Sequence, residues 1–112
     1  MAPFLGDIRQ AATPAAQSRV NEVIWSDTAL AQLEAIGAYV EQFNPMAAKA
    51  LAMRLIAAGD GLATFPHRGR PVARTSMREL VTVNPYIIRY EVIGDQVHIL
   101  RIRHGSRRPT VP

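Results

Sequence analysis

Two runs of alternating residues, Tyr86 to Ile93 and Gln96 to Arg103, are separated by Gly94-Asp95 alone. Glycine supplies the positive φ that a two-residue hairpin turn requires. The runs are therefore expected to pair as antiparallel strands, and so short a turn fixes which residues oppose each other. Ile93 is expected opposite Gln96, Glu91 opposite His98, Arg89 opposite Leu100 and Ile87 opposite Ile102. Opposed residues share a face. One face then carries Ile87, Arg89, Glu91, Ile93, Gln96, His98, Leu100, Ile102 and His104. The other carries Tyr86, Ile88, Tyr90, Val92, Val97, Ile99, Arg101 and Arg103. The second set is apolar until its end and is expected to face the core. The first is expected to stay open, with an aliphatic patch beside Arg89 and His104 of the kind a partner covers. A third layer, the N-terminal lead folded over that patch, is the alternative.

Upstream, Val20 to Trp25 reads as a short strand. Ser26 or Asp27 then caps a helix on which Leu30, Leu33, Ile36, Val40 and Phe43 recur at helical spacing. Asn44-Pro45 ends that helix and starts a second, from Met46 to about Ala63. There Leu51, Leu55, Ala58 and Leu62 form one side, and Ala50 and Ala57 allow close helix approach. Phe65 to Pro71 is a loop by composition. Arg78 to Val83 is a strand, and Asn84-Pro85 turns into the hairpin. The fold class is α+β, with an N-terminal strand and a helical hairpin packed on one face of a small antiparallel sheet, in the order β-α-α-β-β-β. Residues 1–19 read as a flexible lead, 20–108 as the working domain and 109–112 as a tail.

Charge is polarised along this order. Residues 1–63 carry four basic and six acidic side chains, whereas residues 68–112 carry nine arginines and three acids. A fold does not need such polarity, but a surface meeting an acidic partner does. With 112 residues, the chain is expected to make one domain at most. It contains no cysteine, which excludes disulfides, thiolate metal sites and cysteine nucleophiles. Its three histidines are not clustered, so neither metal nor cofactor is expected. No run reaches the roughly 18 apolar residues of a spanning helix, and residues 1–19 lack the apolar run of a secretory signal. A cytoplasmic protein that does not engage membranes is expected.

The segments Trp25-Ser26-Asp27-Thr28-Ala29-Leu30, Phe65-Pro66-His67-Arg68-Gly69-Arg70-Pro71, Arg78-Glu79-Leu80, Tyr86-Ile87-Ile88-Arg89-Tyr90 and Val97 to Arg108 occur in one order over residues 22–108. In that order they resemble the RelE/ParE toxins of bacterial type II toxin–antitoxin systems, the ParE-like branch in particular. The resemblance implies a growth-arresting, plasmid-stabilising toxin that forms a hetero-oligomer with a cognate antitoxin. The antitoxin's wrapping segment would contact the helix hairpin and the sheet, with Ile87, Arg89, Leu100 and Ile102 as its expected contacts. Arg103, Arg107 and Arg108 are the expected target contacts.

The family divides by target. The RelE-like branch cuts mRNA on the ribosome without a metal, using basic side chains that include an arginine three residues before the tyrosine of the third strand. Here that tyrosine is Tyr90, and the earlier position is Ile87. His104, Arg107 and Arg89 are the candidate catalytic residues if the chain cuts RNA, with neutral His104 as base. Losing an arginine aimed at the phosphorane would cost about a hundredfold or more. Ile87 therefore favours the ParE-like branch, which inhibits DNA gyrase by binding and breaks no bond itself. The ribosome-dependent endoribonuclease and a non-toxic relic that only binds antitoxin remain the alternatives. Bland roles are expected elsewhere: a solvated His67, a His98–Glu91 cross-strand pair, Arg101 paired to Glu34 or Glu41, Arg103 reaching solvent at the sheet end, and Trp25 in the core.

Overall fold

The computed structural model describes residues 21–105. The lead at 1–19, Arg107, Arg108 and the tail lie outside them. Strand β1 (Glu22–Trp25) leads into helix α1 (Asp27–Glu41) and helix α2 (Pro45–Asp60), which closes in a 3-10 turn at Gly61–Ala63. Strands β2 (Arg70–Pro71), β3 (Met77–Leu80), β4 (Tyr86–Ile93) and β5 (Gln96–His104) follow. The sheet order is β1-β5-β4-β3-β2. β1 lies parallel to β5, and every other pair is antiparallel. The expected order β-α-α-β-β-β holds, with the two-residue β2 added at the edge.

The turn chemistry works as its residues dictate. Gly94 has φ 62. Asn44 caps α2 by accepting from the Ala47 N–H, and Pro45 fills the first helical turn. Ser26 does more than cap α1. Its Oγ accepts from the Ala29 N–H and donates to the Leu100 carbonyl, and its own N–H donates to the Ile99 carbonyl. That double attachment sets the rotational phase of α1. Ala29 is fully buried, Leu33 and Ile36 pack against the core, and Leu30 and Phe43 turn outward instead of joining the inner stripe.

Leu55 on α2 and Leu62 in the 3-10 turn that closes it are fully buried, with Leu51 and Ala58 beside them, as their spacing predicts. Close approach is made elsewhere than expected. Ala50 and Ala57 are exposed, whereas Ala48 and Gly59 are buried. A Cβ at Gly59 would lie 2.5 Å from Trp25 Cζ2 and 2.8 Å from Ile99 Cδ1. Trp25 packs into that gap and donates its indole N–H to Asp60 at 3.0 Å.

The hairpin register departs from simple alternation at one point. Ile93 opposes Gln96 and Glu91 opposes His98, as expected, but Tyr90 opposes Ile99 while Arg89 opposes Arg101. Leu100 is the extra residue of a β-bulge. Every residue beyond it changes face. Ile102 is buried in the core, opposite Ile88, and is not on the open side. Arg101 and Arg103 are on the open side and do not face the helices, which also removes the expected pairing of Arg101 with Glu34 or Glu41. His104 stands opposite Tyr86 on the helix side. Two forces favour the bulge. Uninterrupted alternation would push two guanidinium groups into an apolar core, at a high desolvation cost. In addition, β1 ends at Trp25, so the Ile102 N–H has no strand neighbour there. Gln32 of α1 satisfies it, accepting at 2.6 Å through Oε1.

Candidate functional site

The sheet face opposite the helices carries a row of charge across four strands. Arg70 of β2 pairs in register with Glu79 of β3, Glu79 with Arg89 of β4, and Arg89 with Arg101 of β5. Glu79 is the one buried acid among the described residues. Its Oε2 accepts from Arg89 Nη2 at 2.6 Å and Nε at 3.2 Å, and from Arg103 Nη2 at 3.5 Å. Arg70 Nη2 stands 3.7 Å from Oε1 but is largely exposed, so it adds little. Burial pushes the Glu79 carboxyl up. The Arg89 hydrogen bond and the charges of Arg89 and Arg103 outweigh burial and hold the group below its ordinary value of 4.5. The row keeps a surplus of positive charge, with Arg101 exposed directly opposite Arg89. Like charges so placed repel unless a further anion joins them.

Around this row lie the aliphatic residues expected on the open face. Ile87 is half-buried there, and so is Leu100 at the bulge. Ile102 is absent from the set for the reason given above. His98 lies opposite Glu91, but its ring bonds to Gln96 Oε1 at 3.0 Å, while Glu91 takes a hydrogen bond from Ser76.

A second feature lies at the other face. Ala35, Ile36 and Tyr39 of α1, with Tyr86, Ile102 and His104 at the sheet end, line a groove of about 490 Å³; Arg103 also borders it at the sheet end, although its guanidinium reaches Glu79 on the open face. The His104 ring meets Tyr86 edge-on, with centroids 5.3 Å apart. Arg89 and His104, expected side by side, are thus on opposite faces of the sheet. From the edge of the groove, Tyr39 packs edge-on against Phe43, and both are exposed together with Met46 and Met53.

The third feature is the loop at residues 64–69, which two sheet residues hold from below. Tyr90 donates its hydroxyl to the Pro66 carbonyl at 2.7 Å and accepts from the Gly69 N–H at 2.8 Å. Arg78 donates to the Gly69 carbonyl at 2.7 Å and the His67 carbonyl at 3.3 Å. Burial raises the Tyr90 hydroxyl above its ordinary value of 10.0, against the pull of the Gly69 bond and the Arg78 charge. A Cβ at Gly69 would lie 2.8 Å from the Glu79 carbonyl and from the Tyr90 ring, so only glycine fits.

Sequence reasoning passed over Glu79 and Tyr90 as organising residues. The available signal for Glu79 was its isolation as one of three acids in a segment with nine arginines. Among the described residues, no group of three or more histidine, aspartate or glutamate side chains is placed to hold a metal ion. No helix among them is long and apolar enough to cross a membrane.

Comparison with known proteins bears on what this arrangement belongs to. A family model described as ParE toxin of type II toxin–antitoxin system, parDE, matches residues 23–109. Toxin RelE2 of Caulobacter vibrioides is 52% identical over 86 residues, covering 77% of this chain and 97% of that protein. The chromosomal ParDE toxin–antitoxin system from P. aeruginosa shares the fold, with a TM-score of 0.70 at 24% identity over 78% of this chain and 98% of the other. The toxin–antitoxin complex RelBE2 from Mycobacterium tuberculosis matches with a TM-score of 0.56 at 22% identity, over 76% and 98%. The chain is a type II toxin–antitoxin system toxin and belongs to the ParE toxin family.

Proposed function

We propose that this toxin is neutralised by a cognate antitoxin and arrests growth by binding DNA gyrase, without breaking a bond itself. The separation of Arg89 from His104 carries this reading. RNA cleavage at a 2′-hydroxyl needs a base, a cation for the phosphorane and a proton donor around one phosphate. Arg89 is engaged by Glu79 on the open face, while His104 meets Tyr86 on the helix side. Ile87 stands where the ribonuclease branch of the family uses an arginine.

The solved relatives include toxin–antitoxin complexes, which supports an antitoxin partner. Ile87, Arg89 and Leu100 on the open face suit an extended segment that alternates aliphatic and acidic residues. The exposed Tyr39, Phe43, Met46 and Met53 suit an amphipathic helix from the same partner. Arg103 on the open face, with Arg107 and Arg108 from outside the described residues, would serve the target.

A supercoiling assay with purified gyrase and relaxed plasmid tests the proposal. The toxin is expected to block supercoiling, and added antitoxin to restore it. Unimpeded supercoiling at a large molar excess of toxin would refute it. The name of the Caulobacter relative, RelE2, favours a second reading, ribosome-dependent mRNA cleavage. That reading requires in-frame cuts that disappear when His104 or Arg107 is changed.

A further inference from the structure

We propose that the loop at residues 64–69 is a preformed contact for an acidic surface of the toxin's protein target; this rests on the reading of the chain as a toxin that acts by binding. Four hydrogen bonds between the loop and Tyr90 or Arg78 hold its backbone, and on the loop side all four involve main-chain atoms. The loop side chains contribute nothing to that support. Phe65 is 61% exposed. His67 and Arg68 are exposed, and their side chains make no hydrogen bond or ion pair among the described residues. The backbone is thus fixed before any partner arrives, and the ordering cost that weakens loop-mediated binding is already met.

The chemistry of the exposed groups identifies the partner. The residues Thr64 to Arg68 line a depression of about 610 Å³, with Phe65 and Pro66 as its apolar part and Arg68 in the same lining. Arg70 continues the positive charge at the adjoining sheet edge. An exposed aromatic ring together with a guanidinium group is the composition enriched at protein–protein hot spots. A nucleic-acid contact would instead spread many cations along successive phosphates. The absence of acidic residues from residues 64–70 leaves an acidic protein surface as the complement.

The test uses the full chain with Phe65→Ala, Arg68→Glu and Tyr90→Phe. The first two change only exposed groups, so their thermal unfolding should match wild type. Each should raise the concentration for half-inhibition of purified gyrase by roughly tenfold or more. Tyr90→Phe leaves the contact groups in place, so it should speed amide exchange at Gly69 and weaken inhibition less. Folded Phe65→Ala and Arg68→Glu proteins that inhibit like wild type would overturn the proposal. So would an equal loss of binding to a naked DNA duplex on Arg68→Glu, which would make the loop a nucleic-acid contact. If wild type leaves gyrase untouched, the gyrase reading fails by itself. Growth arrest on induction then decides for the loop, since arrest registers any target. Arrest lost in both variants supports the loop, and arrest retained overturns it. A wild-type chain that arrests nothing overturns loop and toxin reading together.

Discussion

Replacing Glu79 by glutamine keeps the side-chain shape and removes one charge from the centre of the arginine row. The carboxylate is 8% exposed, and the Arg89 and Arg103 side chains keep 26% and 24% of their exposure. Removing one partner of a fully buried pair costs about 3–5 kcal/mol. Here water still reaches both guanidinium groups, and the glutamine oxygen still accepts a hydrogen bond. Exchanging three hydrogen bonds between ions for weaker ones from a guanidinium to a neutral amide leaves a loss of about 2–3 kcal/mol at pH 7. Urea unfolding, followed by the fluorescence of Trp25, reads this directly. With a slope near 1–2 kcal/mol/M, the midpoint should fall by about 1–3 M.

The pH dependence supplies an independent check. The folded-state pKa of Glu79 lies below its ordinary value of 4.5. Between those two values the unfolded chain binds more protons than the folded one, so stability rises with pH there. The contribution is complete above about 4.5 and is lost as pH falls through the folded value. Wild type should therefore lose its advantage over Glu79→Gln on acidification, while acids common to both proteins cancel. A variant within about 0.5 kcal/mol of wild type at neutral pH, the scale of an ordinary surface change, would refute the ion-pair account. So would a difference that persists undiminished down to pH 2.

Three further outcomes follow from the packing. Gly59→Ala gains helix propensity of about 1 kcal/mol, but its methyl would collide with Trp25 and Ile99. A net loss of about 1–2 kcal/mol is expected, read as a lowered Tm. Ser26→Ala removes both the α1 cap and the bond to the Leu100 carbonyl. It should cost about 2 kcal/mol and speed amide exchange at Ala29. Leu55→Ala empties a fully buried site and should cost about 2–5 kcal/mol in the same urea assay.

The elements of this fold were legible because their signals are local. Gly94 marks the hairpin, Asn44-Pro45 the helix junction, and Leu55 and Leu62 the inner side of α2 and its closing turn. The misassigned residues depend on contacts distant in sequence. Leu30 reads as a core residue until Ser26 is attached to β5, which turns the helix and puts Ala29 inside. The faces of Ile102, Arg103 and His104 depend on one extra residue, Leu100, which period-two alternation hides. A clue was present: strict alternation put Arg101 and Arg103 into an otherwise aliphatic stripe, a cost that a bulge removes. Glu79 gave little warning, because a lone strand acid becomes central only when three strands bring arginines to it. Gly69 and Tyr90 are 21 residues apart, and their bond is visible only in the folded chain.

The most direct measurement takes plasmid superhelicity and the 5′ ends of cellular mRNA from one culture after the chain is induced without a partner. With Arg89 and His104 on opposite sheet faces, plasmid topology should change while transcripts stay whole, in wild type and in His104→Ala alike. In-frame cuts in translated mRNA with unchanged topology, abolished by His104→Ala, would contradict the account.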